Sequence, residues 1–187
     1  MKNVTRCSWA GDDPLYIAYH DTEWGVAVHD DTRLFEMLVL EGFQAGLSWI
    51  TILRKRGAFR ASFAQWDWKK VARFDSRMVT RLLQNAEIIR NERKIRAAIN
   101  NAKRFEDVRT AFGTFDRYIW RFTDYTTLRP KQRVRTFKEL PCSSAESVSM
   151  SRDLKKRGFS FVGPTICYAY MQSIGMVDDH LEGCFRI

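Results

Sequence analysis

The stretch D178-D-H-L-E-G-C184 sets His180 and Cys184 four positions apart in a chain with three histidines and four cysteines. That spacing is about one helical turn, so both side chains can point at a common spot. An imidazole and a thiolate together make half of a tetrahedral metal site, and zinc accepts both. Candidates for the other half stand at the opposite end of the chain, Cys7 and His20, with twelve residues between them. A set in this order is unlike a zinc finger, and its halves lie about 160 residues apart. Spacing alone therefore leaves a second reading open, in which the thiols are simply buried and a histidine lies near a chain end. If a metal is held, four protein ligands leave no position for water, and its role is structural: it clips the two termini together.

A second constellation gathers Trp9, Tyr16, Tyr19 and Trp24 with E41-G-F-Q-A-G-L-S-W49. Tyr16 and Tyr19 are three apart and can share a helix face. Each aromatic taken alone reads better as core than as a ligand platform. Glu41 is harder to dismiss, because it ends an apolar helical run, between Leu40 and Gly42-Phe43, where a carboxylate risks desolvation. A buried carboxylate needs partners, and a cationic or N–H-bearing ligand supplies them. Aromatic walls with one carboxylate suit a flat base that carries N–H groups or positive charge.

Charge is distributed unevenly around these groups. Residues 1–47 carry eight acids against three bases, residues 48–135 carry 22 bases against eight acids, and residues 136–187 balance at six each. A basic middle section suits a polyanion such as nucleic acid, although a solubilising surface has the same composition. The 45% apolar and 13% aromatic content is that of a folded chain with a substantial core. M1-K-N-V-T-R-C-S-W-A10 lacks the apolar core of a signal peptide, and the apolar stretch from Phe161 to Val177 is short for a membrane span. A soluble cytoplasmic protein is expected, with no membrane partner and cysteines kept as thiols or metal ligands.

The elements that must position these residues read as helices throughout, in one domain spanning 1–187 that could divide into two lobes. Asp13 and Pro14 open a short helix. Asp31 or Thr32 can cap the next, over 33–41, and another runs from Leu47 to Arg56 and ends at Gly57. Helices follow over 75–84, 91–112 and 114–122. Residues 123–141 are basic and irregular, the segment expected to move most. S143-S-A-E146 is a capping box for a helix closing at Gly158, and P164-T-I-C-Y-A-Y-M-Q-S-I174 is the last helix. Strand alternation and internal repeats are absent, so the fold class is all-α.

Taken together, D13-P-L-Y-I-A-Y-H-D-T-E-W-G25, L40-E-G-F-Q-A-G-L-S-W-I50, K156-R-G-F-S-F-V-G163 and D179-H-L-E-G-C184 resemble the bacterial 3-methyladenine DNA glycosylase I family, nearly end to end and in order. The resemblance implies the α-helical fold of helix-hairpin-helix glycosylases, with the hairpin element at about 75–99. It implies one structural zinc per chain on Cys7, His20, His180 and Cys184, which answers the question that spacing left open. It implies a base pocket in which Glu41 recognises the base, Tyr16 and Trp49 are its main aromatics, and Trp9 and Tyr19 stand beside them. The DNA-binding hairpin corresponds to R81-L-L-Q-N-A-E-I-I-R-N-E-R-K-I95, with Arg90, Arg93 and Lys94, joined by Arg133 of the run R129-P-K-Q-R-V-R135, expected on phosphates. One departure stands out: Glu87 occupies the place where the family usually has a glycine before Ile-Ile-Arg. A side chain and a negative charge there would weaken or displace hairpin contacts.

The implied activity is a monomeric base-excision enzyme acting on double-stranded DNA with alkylated bases. It releases 3-methyladenine by hydrolysis and leaves an abasic site. N91-E-R-K-I-R-A-A-I-N100 has no aspartate of the kind many hairpin glycosylases place after the hairpin, so Glu41 is expected to discriminate the base rather than act as general base. Two other classes compete: a non-catalytic damage-binding module with a structural zinc, and a metallohydrolase in which the zinc does the chemistry.

Overall fold

The computed structural model describes residues 4–187. Among these residues there are nine α-helices: α1 (Pro14–Thr22), α2 (Asp31–Gln44), α3 (Trp49–Ser62), α4 (Trp68–Val71), α5 (Ser76–Gln84), α6 (Glu92–Phe112), α7 (Phe115–Trp120), α8 (Ala145–Lys156) and α9 (Pro164–Ser173). No strand occurs among them, and a lone parallel bridge joins Leu128 to Val177. None of these helices is long and apolar enough to cross a membrane.

Short polar side chains start most of the helices by accepting the free N–H groups of the first turn, each such cap being worth about 1 kcal/mol. Asp13 accepts from Leu15 N at 2.9 Å, Asp75 from Met78 N at 3.0 Å and Asn91 from Lys94 N at 3.1 Å. Two caps differ from expectation. Asp30, one residue earlier than Asp31, caps α2 by accepting from Arg33 N at 2.8 Å. Asp31 is thereby free to accept from Arg109 Nε at 2.6 Å and from the Phe115 and Asp116 amides, which fixes the start of α7. The capping box of α8 also sits one residue later, between Ser144 and Ser147. Because serine at that position reaches back as well as glutamate does, the acidic residue misled the register.

α2 lies at the centre and packs against α3, α6, α7 and α9. Leu34, Phe35, Met37, Leu38, Val39, Leu40 and Phe43 are all buried, so this helix is enclosed on nearly every side. α3 continues through Gly57 to Ser62; Gly57 tolerates helical backbone, and the buried Phe59 anchors the extension. The sequence reading also missed the turn after α3. Ala64, Gln65 and Trp66 have φ of 52°, 56° and 66°, left-handed values that L-residues seldom adopt consecutively. Buried Trp66, stacked on Phe63 with centroids 5.8 Å apart, compensates that turn.

The segment after α7 is irregular but moored. Leu128 N donates to Met176 O and Asp178 N donates to Leu128 O, at 2.8 and 2.9 Å. The chain ends meet nearby, where Phe185 N donates to Thr5 O at 2.9 Å and Leu181 N donates to Cys7 Sγ at 3.2 Å. Two glycines permit the close approach of segments here. A Cβ on Gly175 would stand 2.3 Å from the Val26 backbone, and one on Gly25 would stand 2.8 Å from the His180 ring.

Candidate functional site

Glu41 sits in the last turn and a half of α2, 4% exposed, at the floor of a cavity of about 150 Å³. Tyr16 and Tyr19 reach the cavity from α1, Trp9 from the 3₁₀ turn Ser8–Ala10, and Trp49 from the first position of α3. The expected pocket residues are therefore brought together. Trp9 lies against Tyr16 with centroids 5.0 Å apart, and Tyr19 lies against Trp49 at 5.3 Å. Trp24, Gln44 and Gln172 complete the walls, and half-exposed Phe137 stands at the rim. Sequence reading overlooked Gln44, Gln172 and Phe137. Gln44 had a signal, lying three residues after Glu41 on the same helix face; Gln172 and Phe137 arrive only by tertiary folding.

The lining residues carry three buried polar atoms without a partner among the described residues: Trp9 Nε1, Trp49 Nε1 and Glu41 Oε2. A buried polar atom left unpaired costs about 1–3 kcal/mol, so two donors and a carboxyl oxygen gathered at one cavity mark a place that a polar ligand completes. Burial pushes the Glu41 carboxyl up to about 8, opposed by neighbouring Ser173. Burial thus favours the neutral carboxyl, and a cation or strong donor arriving there favours the carboxylate. Larger cavities exist, including one of about 580 Å³ between α3 and α5, but its lining places no buried unpaired carboxyl beside aromatic rings.

Behind the aromatic wall lie the cysteines and histidines. Cys7 Sγ, His20 Nε2 and Cys184 Sγ are buried and within 4.8 Å of one another. His180 stands beside them, its ring edge-on to that of His20 with centroids 5.2 Å apart, and its Nε2 is buried without a partner among the described residues. Burial pushes the Cys7 thiol up to about 12, while the Leu181 N–H on its sulfur works the other way. A thiol so disfavoured as an anion ionises only with a strong cation beside it. The donor set and the unpaired imidazole nitrogen both fit a tetrahedral metal such as zinc. The wall and the cluster share residues: Trp9 packs on His20 at 5.2 Å and Trp24 on His180 at 4.8 Å.

The basic residues divide. Arg90 and Arg93 are exposed, the first within the turn Asn85–Asn91 that joins α5 to α6 and the second at the start of α6. That turn is braced by Asn85, which accepts from Glu87 N at 2.9 Å, and by Lys55 Nζ, which donates to Ala86 O and Glu87 O at 3.1 Å each. Glu87 has no left-handed backbone, so the missing glycine creates no strain, and the exposed carboxylate remains as the only cost. Lys94 is a correction. It is 8% exposed, and its ammonium donates to Phe43 O at 2.8 Å and Ala45 O at 2.6 Å, so it ties α6 to the end of α2 instead of standing free at the surface. Arg133 is another, being half-buried and bound to both carboxylate oxygens of Asp178 at 2.9 and 3.0 Å. Of its neighbours, Arg129 also reaches Asp178 and Arg135 pairs with Glu182, but both arginines remain largely exposed and these are surface pairs.

The methyladenine glycosylase family model matches residues 9–187. The chain is 49% identical to DNA-3-methyladenine glycosylase 1 of Escherichia coli over 97% of this chain and 96% of that one. A crystal structure of 3-methyladenine DNA glycosylase I superposes with a TM-score of 0.93 at 47% identity, covering 97% of this chain and 98% of the other. The Staphylococcus aureus 3-methyladenine DNA glycosylase I, solved to explain its 3-methyladenine recognition, superposes at 0.91 with 30% identity over 96% and 95% of the two chains. The chain, with its aromatic cavity around a buried glutamate, belongs to the methyladenine glycosylase family.

Proposed function

We propose that the protein is a DNA-3-methyladenine glycosylase of base-excision repair, acting as a monomeric single unit on alkylated duplex DNA in the cytoplasm. The observation that carries this is Glu41, buried and half-unpaired in a cavity walled by Trp9, Tyr16, Tyr19 and Trp49. A base inside a duplex cannot reach such a cavity, so the nucleotide must be flipped out of the stack. Adenine methylated at N3 carries positive charge while attached to deoxyribose. That charge favours ionised Glu41, whose oxygens accept from the base N–H groups, and the aromatic rings stack on its faces. Breaking the bond between C1′ and N9 sends the electron pair to the base, which leaves neutral. The sugar carries the positive charge until water adds at C1′ and loses a proton. Much of the driving force lies in the alkylated base, so holding it extruded and oriented is the protein's main task.

Zinc is proposed on Cys7, His20, His180 and Cys184. When bound it supplies a structural crosslink. A site with four protein ligands has no open position, which disfavours the metallohydrolase alternative. Its place behind Trp9 and Trp24 supports a role in holding the wall of the base cavity. The exposed arginines beside the α5–α6 turn suit DNA phosphates, and that unit corresponds to a helix-hairpin-helix element.

Incubating the protein with methylated DNA and identifying released bases by chromatography tests the activity. Free 3-methyladenine is the expected product. Tight binding of the DNA with no base released would instead identify a damage-binding module.

A further inference from the structure

Both histidines of the cysteine–histidine cluster are held from behind in the same way. His20 Nδ1 lies 2.8 Å from Asp21 Oδ1, and Asp21 accepts from Arg6 Nε at 2.9 Å and Arg6 Nη2 at 2.7 Å. His180 Nδ1 lies 2.9 Å from Asp178 Oδ1, and Asp178 accepts from Arg133 Nη1 and Nη2 at 2.9 and 3.0 Å. Arg133 Nη1 also donates to the His180 carbonyl at 3.2 Å. The arginines come from different segments, one before the cluster's first cysteine and one from the strap after α7.

We propose that Arg6–Asp21 and Arg133–Asp178 are two positioning relays that hold His20 and His180 in the Nδ1–H tautomer, so that each presents Nε2 to the zinc. The inference rests on the zinc reading of the cluster. An imidazole that donates from Nδ1 to a carboxylate leaves its Nε2 lone pair free, and the carboxylate raises the basicity of that nitrogen. The independent observation is His180 Nε2, buried without a partner among the described residues, on a ring packed edge-on to Trp24 and so close to Gly25 that a Cβ there would stand 2.8 Å away. Nothing else in that surrounding rewards an unpaired nitrogen, whereas a ligand to a metal is required to be unpaired by protein. The second relay does more than aim a ring. Arg133 lies on the strap whose Phe137 stands at the rim of the base cavity, so the contact that orients His180 also fastens that rim.

The measurement is zinc affinity by competition with a chromophoric chelator, on the folded, zinc-loaded protein. Parent protein, Asp178→Ala, Asp178→Asn, Arg133→Gln and Asp21→Ala are compared, with circular dichroism as the control for folding. Asp178→Ala and Asp21→Ala are expected to bind zinc about 10–100-fold more weakly, the loss typical of a carboxylate behind a metal-bound histidine. Asp178→Asn keeps an acceptor for Nδ1–H and should recover part of the affinity, and Arg133→Gln should fall between parent and Asp178→Ala. If an alanine variant fails to fold, Asp178→Asn and Arg133→Gln carry the test. Zinc held within twofold of parent in every variant, with only the melting temperature reduced, would show the relays to be plain structural ties and overturn the inference. Parent protein that takes up no zinc overturns the zinc reading itself, and the relays with it.

Discussion

Glu41 shows how one side chain can carry both a liability and a function. Its carboxyl, pushed from 4.5 to about 8 by burial, binds a proton more tightly folded than unfolded. A raised carboxyl pKa contributes stability that is present below about 4.5 and is lost as pH rises through about 8. Glu41→Gln removes that loss, so the variant should gain on the parent in melting temperature across this window. Parallel pH profiles for the two proteins would show that the carboxyl is not strained by burial. The same proton governs binding of the alkylated base. Charge-assisted bonding to the carboxylate is worth about 1.5–3 kcal/mol. Accordingly kcat/KM on alkylated DNA should rise with pH toward about 8 in the parent and stay flat in Glu41→Gln, because that ratio reports the free enzyme. Titration with free bases separates the roles within the cavity. Glu41→Gln should erode the preference for 3-methyladenine over adenine, whereas Trp49→Ala removes stacking and should weaken both by about 1–3 kcal/mol. Undiminished selectivity in Glu41→Gln would mean that the base is read by other groups.

At the scale of elements, the α5–α6 unit explains which cations can meet DNA. Arg90 and Arg93 are exposed at the turn, while Lys94, one residue further, rotates into the protein. Helical periodicity separates neighbours by about 100°, so adjacent basic residues near a helix start can have opposite fates. Arg90→Glu or Arg93→Glu should weaken binding to all DNA sequences and reduce the slope of log affinity against log salt by about 0.9 for each phosphate no longer neutralised. A slope equal to that of the parent in both would place the DNA elsewhere. Lys94→Met, of similar length, should leave the slope alone and destabilise the fold by about 1–3 kcal/mol, since the carbonyls of Phe43 and Ala45 lose their donor. Denaturant unfolding beside a salt titration distinguishes the two kinds of basic residue. Arg133 of the strap belongs with Lys94: its positive charge was legible, but its partner Asp178 lies 45 positions away and could not be read.

At the scale of the whole molecule, the chain closes on itself. Cys7 opens the 3₁₀ turn that carries Trp9, and Cys184 is its neighbour across the cluster, so the chain ends and one wall of the base cavity are a single construction. Cys184→Ser should therefore lower the melting temperature by several degrees, with metal analysis showing about one zinc per chain in the parent and loss of zinc in the variant. A secondary loss of base affinity should follow, through Trp9. Parent protein stripped of metal that melts at an unchanged temperature would sink the idea of a clip. The basic middle section and the acidic first segment also meet in three dimensions: Arg56 of the middle section pairs with Glu23 and Glu36 of the first, and Arg109 pairs with Asp31. Part of the formal surplus of positive charge is thus consumed inside the fold, leaving less for a polyanion than composition suggests.

The helical class, most helix boundaries, the capping aspartate before α1, and the pocket set of Glu41, Tyr16, Tyr19, Trp9 and Trp49 were legible in the chain, because they depend on local periodicity and on short motifs. Where local signals misled, packing was stronger: Gly57 stayed helical, and the turn at Ala64–Trp66 took left-handed backbone to stack Trp66 on Phe63. Tertiary structure alone decided the state of Glu41, because desolvation depends on everything that surrounds a carboxyl rather than on its neighbours in sequence. It also decided which arginines remain free, since an ion pair forms between whichever charges folding brings within a few ångströms. For the same reason, two histidines recognisable as candidate ligands from their spacing acquired carboxylate and arginine supports that no spacing could reveal.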